Sequence, residues 1–346
     1  MPAPERAAAP RDRAYVTLVT NADFAIGAGA LLRSLALTGT SADRVVMHTA
    51  AVPDAALAGL VARGAQLVEV DLPPTSDAFN EAHSRRAVHE RAPFTKGEKP
   101  AFHTPLDNFA KLRLWRLPYA RVVFLDADTL VLRNIDRLFS YPEFSAAPNV
   151  YESLVDFRRL NSGVFTARPD PATFDAMLAR LDAPGAIWRR TDQTFLEAFF
   201  PRWHGLPVYD NLLQYVWLNL PELWDWRLAN VIHFQYEKPW DPANPKADRL
   251  APLRCQAGEL LRKRPGLRHL EVLQQRGLIA PLLHEQEPHR ILRVLSDAVR
   301  DAARLQPGAV HVLDADRQGL RQTAVLDLNG SDDNDHGEVL SGDRQS

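Results

Sequence analysis

The sequence predicts a mixed α/β fold built around a parallel sheet, and three observations carry that expectation. Apolar runs recur at 14–20 (AYVTLVT), 44–50 (RVVMHTA), 66–71 (QLVEVD) and 121–128 (RVVFLDAD), with helical stretches between them. The runs lack polar alternation, as strands buried on both faces do. The helices are punctuated in the expected order: Pro53 near the start and Gly64 past the end of 53–64, and Gly39 closing 25–39. Strands alternating with helices of about a dozen residues imply βαβ units.

Each element follows from local chemistry. The run 14–20 is the first strand and 25–39 (AIGAGALLRSLALTG) the first helix, and 44–50, 53–64 and 66–71 repeat the pattern. Residues 73–106 then break the rhythm with five prolines and three histidines, His83, His89 and His103. A loop of this length inside a compact domain is usually functional or disordered. The histidines have no metal-ligand spacing, and a solvated or acceptor-facing loop whose KGEKP and HTPLDNF elements close over a ligand is expected. DNFAKLRLWRL (107–117) resumes a helix with Asp107 at its N-cap. LNSGVFTARP (160–169) reads as a strand, PATFDAMLARL (171–181) and TDQTFLEAFF (191–200) as helices, and VIHF (231–234) as a short strand. Trp203, Trp217, Trp224, Trp226 and Trp240 are expected to pack in the core rather than to form a sugar platform. After Pro245 come amphipathic helical stretches such as PHRILRVLSDAVRDAARL. They could dock on the domain, dimerise or lie on a membrane surface, with docking favoured.

Bulk properties exclude several classes. At 346 residues the chain can bury a large core, one domain of about 250 residues with an appendage. A net charge of −2 argues against a nucleic-acid partner. The single cysteine, Cys255, excludes an intrachain disulfide and fits a reducing compartment. Neither a signal-like apolar stretch at the start nor an 18-residue apolar run is found, so a cytoplasmic location is expected, with peripheral membrane contact left open.

Chemistry concentrates where the fourth strand runs into Asp126-Ala127-Asp128. In a parallel α/β sheet, ligands bind beyond the carboxyl ends of the strands. Strand alternation puts Asp126 and Asp128 on one side, so two carboxylates converge on one cation; Mg²⁺ or Mn²⁺ prefers such oxygen ligands. By itself the pair is also compatible with a strand ending in a capped turn.

The segment VVFLDADTLVLRNIDRLF (122–139) resembles the metal-binding strand of the glycogenin-like retaining glycosyltransferases, family 8. AYVTLVTN (14–21) is similar to that family's first strand and KLRLW (111–115) to its next helix. NSGVF (161–165) resembles its sugar-site strand, TDQ (191–193) its acidic element, and HFQYEKPW (233–240) its closing segment. The resemblance covers about two-thirds of the chain. It implies a GT-A type nucleotide-diphospho-sugar transferase fold, a Rossmann-like mixed sheet flanked by helices, over residues 14–245. The nucleotide-binding half is 14–128 and the acceptor half 129–245. A disordered leader (1–13), a helical C-terminal extension (246–325) and a disordered tail (326–346) complete the expected organisation.

The resemblance also implies a role for each residue of the site. Asp126, Asp128 and His233 hold Mn²⁺ or Mg²⁺, and Lys238 adds charge at the donor diphosphate. Thr20, Asn21, Phe24 and Ala127 face the nucleotide, while Lys111, Asn161, Ser162, Asp192 and Gln193 line the sugar pocket. Asp192 is the residue expected to orient the sugar or stabilise charge at its anomeric carbon. The implied reaction moves a hexosyl group, glucose or galactose, from a UDP-sugar to a saccharide or lipid-linked acceptor hydroxyl with retention. A homodimer is compatible with the pattern. Two departures stand out. His233 and Lys238 are separated by residues that include no glycine, where the family has one; and Tyr215 is out of register with the glucosylated tyrosine of glycogenins, so glycogen priming is not supported. Two other readings stay open: a catalytically silent nucleotide-sugar or carbohydrate-binding protein, and a sugar-nucleotide nucleotidyltransferase. The second should carry a Gly-rich phosphate loop after the first strand, and GAGALLRS (27–34) reads as helix instead.

Overall fold

The structure is a computed structural model and describes residues 11–90, 99–183 and 191–262. It begins with β1 (Arg11–Val19), α1 (Ala22–Leu37), β2 (Asp43–His48), α2 (Asp54–Val61) and β3 (Gln66–Glu69). After α3 (Asp77–Ala82) and a 3-10 helix at Leu106–Arg116 come β4 (Tyr119–Leu125), β5 (Thr129–Val131), β6 (Ser145–Pro148) and β7 (Leu160–Ala167). Then follow α4 (Pro171–Leu181), α5 (Asp192–Phe199), β8 (His204–Gly205), β9 (Leu212–Leu213), α6 (Gln214–Asn219), β10 (Val231–His233) and α7 (Ala247–Arg262).

Seven strands form the main sheet in the order β3-β2-β1-β4-β7-β6-β8. The first four are mutually parallel, as expected, and β7 then runs antiparallel to both β4 and β6. A smaller sheet, β5-β10-β9, stands beside it. Alternation along the central strands divides the core. Ala14, Val16, Leu18, Val122 and Phe124 face Trp115, Phe109 and Phe174 on one side. Tyr15, Val123 and Leu125 face Leu31 and Leu35 of α1 on the other. Leu130, Ile232 and Leu213 of the small sheet share a separate cluster with Leu250, Leu253 and Ala257 of α7.

Three sequence expectations change. β1 starts at Arg11 rather than 14, because Arg11 and Arg13 pair with Tyr119 and Arg121 of β4. The 107–117 helix is a 3-10 helix over Leu106–Arg116. Its apolar residues Leu106, Phe109, Leu112 and Trp115 recur every third position, and three residues per turn stack them along one face. The 73–106 segment is not structureless, since it holds α3 and a π-helical turn at Arg86–Glu90. The tryptophans pack as expected: Trp217, Trp224 and Trp226 form an edge-to-face cluster with centroids 5.3–6.0 Å apart, and Trp203 lies against the main core. The helix α7 opens the expected extension by docking on the domain, while residues 263–346, and with them the tail, lie outside the described residues, as do 1–10 of the leader. Among the described residues no helix is long and apolar enough to cross a membrane.

One contact positions the acidic turn. A Cβ on Gly27 of α1 would lie 2.4 Å from both the carbonyl oxygen of Ala127 and the Trp240 ring. The helix therefore reaches the backbone between the two aspartates only because that position has no side chain. Gly27→Ala is expected to lower stability by about 1–3 kcal/mol through overpacking, despite its gain in helix propensity, as measured by denaturant unfolding.

Candidate active site

The site lies where the carboxyl end of β4 meets the small sheet. β4 ends at Leu125, a turn carries Asp126 to Asp128, and Thr129 enters β5. The Asp126 amide donates to the Gly163 carbonyl of β7 at 2.8 Å, and the Phe234 amide to the Asp128 carbonyl at 2.9 Å. Pairing of Thr129 with His233 across β5 and β10 then sets the histidine beside the acidic pair. One ligand atom from each of Asp126, Asp128 and His233 falls within 4.8 Å of the others. His233 Nε2 is 3.2 Å from Asp128 Oδ1 and 3.8 Å from Asp126 Oδ2.

Two lysines bracket this cluster. Lys111, on the 3-10 helix, reaches Asp126 Oδ1 at 3.0 Å and Asp192 Oδ2 at 2.8 Å, with its ammonium over the Phe124 ring. Lys238, 1% exposed, bonds Asp128 Oδ2 and donates to the Phe234 carbonyl at 3.0 Å. Burial by itself raises a carboxyl pKa, but at Asp128 the Lys238 ammonium wins and holds the group well below the usual range. At Asp126 burial prevails over Lys111, and the neighbouring Asp128 charge adds to it, so its pKa is raised. Lys111 loses by burial but gains more from Asp126 and Asp192, and its pKa is raised.

Two features fit a divalent cation. Asp128 Oδ1 is buried with no hydrogen-bond donor among the described residues. The oxygen–oxygen–imidazole donor set is one that Mn²⁺ or Mg²⁺ accepts. An orphaned buried carboxylate oxygen costs free energy that a cation removes.

The other expected site residues fall into place unequally. Ser162 Oγ donates to Asp192 Oδ2 at 3.0 Å, and the Ser162 amide donates to Gln193 Oε1 at 3.2 Å. Thr191 occupies the N-cap of α5 without a side-chain capping bond, and Asp192 turns to Lys111 instead. Thr20 is buried at the end of β1. Asn21 caps α1, accepting from the Phe24 amide at 3.1 Å, and donates to the Phe102 carbonyl at 2.8 Å. Phe24 meets Phe102 edge-on at 5.3 Å, so part of the 73–106 segment packs beside the carboxyl end of β1. His89 and His103 of that segment bond each other at 2.9 Å. Burial, with Arg85 and Lys99, pushes His89 down to about 4, and burial and Lys99 hold His103 well below its usual value. Tyr215, buried, donates to Glu237 at 2.8 Å.

Three further residues, none of them named from the sequence, join the site. Lys99 sits over the Tyr236 ring at 4.8 Å, and burial together with Lys238 lowers its pKa to about 8. Asn211 is fully buried against His233 Nδ1 at 2.9 Å. Gly163 leaves room for that imidazole, since a Cβ there would lie 2.2 Å from His233 Cε1. Gly163 lies inside NSGVF and Lys99 inside KGEKP, whereas Asn211 had no sequence signal. The contracted segment between His233 and Lys238 makes its turn with Tyr236 at φ 63°, the left-handed region usually left to glycine. Tyr215 and Tyr151 hold that residue, with ring centroids 5.4 and 5.8 Å away.

A mixed sheet with an acidic turn at the end of its fourth strand and a histidine from a companion sheet is the GT-A arrangement. The fold is shared with the glycosyltransferase GlyE of Streptococcus pneumoniae (TM-score 0.50, 13% identity, 80% of this chain and 66% of that one). The Glycosyl transferase family 8 model matches residues 15–150. Glycogenin-1 of Oryctolagus cuniculus is 34% identical over 240 residues, 66% of each chain. UDP-glucuronate:xylan alpha-glucuronosyltransferase 2 of Arabidopsis thaliana is 32% identical over 212 residues, 61% of this chain and 31% of that protein. The chain belongs to glycosyltransferase family 8. It spans about a third of the length of the plant relative and about two-thirds of glycogenin-1.

Asp192 is a buried carboxylate whose charge rests on Lys111 and Ser162. Lys111→Met is expected to cost about 3–5 kcal/mol by stranding that charge. The Lys111→Met/Asp192→Asn double variant should recover most of the loss, so chemical denaturation of the two single and the double variants checks the pair as a cycle.

Proposed function

We propose that the chain is a metal-dependent glycosyltransferase moving a glycosyl group from a UDP-sugar to an acceptor hydroxyl with retention of configuration. The observation that carries this reading is the orphaned Asp128 Oδ1, facing His233 Nε2 and Asp126 in a family 8 chain. The alternative of a silent binding protein is disfavoured by an acidic cluster against which Lys111 and Lys238 are both buried and paired.

Asp126, Asp128 and His233 would hold Mn²⁺ or Mg²⁺, which when bound supplies Lewis-acid stabilisation to the departing diphosphate. Lys238 lies on the Asp128 side of the cluster, where its ammonium would meet the same diphosphate. Three carboxylates (Asp126, Asp128, Asp192) stand against three ammoniums (Lys99, Lys111, Lys238). A divalent cation and a dianionic diphosphate therefore enter together without changing the net charge of the site. Asp192 takes Lys111 and Ser162 on Oδ2, which leaves Oδ1 to orient a sugar hydroxyl or to stabilise positive charge at the anomeric carbon. Ser162 and Gln193, bonded to each other, would fix that carboxylate's side of the pocket. Thr20, Asn21, Phe24 and Ala127 would face the nucleotide, and a cytoplasmic setting and a saccharide acceptor belong to the same proposal. The buried Tyr215 hydroxyl, committed to Glu237, is not available as a self-acceptor.

The sugar is a hexose in the simplest reading. A uronate donor is the second reading, because Lys99 adds a cation at the site and the plant relatives carry UDP-glucuronate in their names. Thermal shifts with UDP-glucose, UDP-galactose and UDP-glucuronate in Mn²⁺ should rank the donors. Turnover of the preferred donor is expected to vanish on chelation of the metal. Lys238→Met should lower kcat by about 10²–10³, the usual cost of removing one group that stabilises developing charge. Metal-independent turnover, or Asp126→Ala acting like the unaltered protein, would refute the assignment.

A further inference from the structure

The metal reading leaves a question at His233. A histidine ligates through a bare ring nitrogen, and which nitrogen is bare is decided by what the other one touches. A chain of hydrogen bonds in this structure answers it without appeal to the metal.

The chain starts at a group with no ambiguity. The backbone amide of Gly163 can only donate, and it points at an Asn161 side-chain atom 2.9 Å away. That atom must be Oδ1, because the amide nitrogen of the side chain would set donor against donor. Asn161 Oδ1 also receives a bond from Asn211 at 2.8 Å, so the Asn211 atom facing it is Nδ2. Asn211 Oδ1 then faces His233 Nδ1 at 2.9 Å and can only accept. His233 Nδ1 therefore carries a proton, which leaves Nε2, facing Asp126 and Asp128, as the nitrogen a cation would take. The other end of Asn161 is tied down as well, its Nδ2 lying 3.0 Å from Asn149 Oδ1 and 3.4 Å from the Tyr151 hydroxyl. All four hydrogen-bonding positions of Asn161 are used within the protein. Asn161, Asn211 and His233 are 3%, 0% and 3% exposed, so no water competes for these bonds.

We infer that Asn211, oriented by Asn161 and the Gly163 amide, is a positioning residue that locks His233 in its Nδ1–H form and presents Nε2 to a divalent cation. Gly163 serves both ends of the centre: its amide starts the relay to His233, and its carbonyl accepts from the amide of Asp126. Its missing Cβ is also the space in which the imidazole lies. The inference rests on the metal-dependent reading proposed for the site, and it gives Asn161 a task inside the protein rather than at the sugar.

The test is Mn²⁺ affinity of the full chain without donor, monitored by the electron paramagnetic resonance signal of the free ion at pH 8. Asn211→Leu keeps the branched shape, with a larger volume, but removes the acceptor, and should bind Mn²⁺ about 10–100-fold more weakly than the unaltered chain. Asn211→Asp keeps an oxygen facing Nδ1–H, its protonated oxygen can donate to Asn161 Oδ1 in place of the amide, and it should retain affinity near the original. A purely structural role for Asn211 predicts the reverse ordering, since a carboxyl in this fully buried place is the harsher change. Metal-free unfolding curves verify that each variant folds, and Asn211→Ala replaces the leucine variant if that one does not. Unweakened binding by Asn211→Leu, or equal weakening by Leu and Asp, overturns the relay while leaving the metal centre intact. Failure of the unaltered chain to take up Mn²⁺ removes the metal centre and the relay together.

Discussion

Three carboxylates, Asp126, Asp128 and Asp192, meet at the end of a buried strand, and their mutual repulsion is the constraint on which the surrounding architecture depends. In a medium of low polarisability such crowding is costly unless each charge has a fixed partner. Lys111 spans Asp126 and Asp192, Lys238 sits on Asp128, and each lysine is delivered by an element whose winding suits the task. The 3-10 helix offers its i, i+3 apolar row to the core while the intervening Lys111 enters the site over Phe124. The segment after β10 bends so that Lys238 folds back on the Phe234 carbonyl. What these cations leave uncompensated is the Asp128 Oδ1 lone pairs, which the candidate metal site would use.

The parallel half of the fold was legible because buried strands and their helices follow local rules: β1 to β4 are set by unbroken apolar runs and by Pro and Gly at helix ends. The reversal at β7 was not, since LNSGVFTA reads the same whichever way it pairs, and only its register with Val122–Leu125 decides. The tight winding of 106–116 had a signal in the threefold spacing of Leu106, Phe109, Leu112 and Trp115, which competes with the helical pattern that the same residues also satisfy. At the site, Asp126, Asp128, His233, Lys111 and Asp192 stand together as the motifs implied. Asn211 lies in a stretch with no pattern, and its role comes from contacts to residues 50 and 22 positions away. Lys99 is similar: a charged residue in a proline-rich loop reads as solvated until the fold sets it over Tyr236.

A second clamp holds the turn before Asn211. Arg137 grips the fully buried Asp210 through two bonds at 3.0 and 2.5 Å, and Asn230 adds a third at 2.9 Å. Asp210, held by Arg137 and Asn230, fixes the backbone from which Asn211 projects. Residues 129–245 thus contribute rigidity, while residues 14–128 contribute most of the charge. The two meet through short backbone bonds, Asp126 to Gly163 and Phe234 to Asp128, which leave little freedom in how the ligand atoms face one another.

Tyr236 carries the consequence of giving up a glycine at a turn. A glycine loop samples many shapes and must be ordered when a ligand arrives, whereas a tyrosine at φ 63° is held in one shape by its aromatic neighbours beforehand. The left-handed backbone costs roughly 1–2 kcal/mol in folding. In return, the stretch leading to Lys238 would lose less conformational entropy on binding the diphosphate proposed for it. Order in this corner is a property of the resting protein, and recognition there is closer to a fitted mould than to a closing hand.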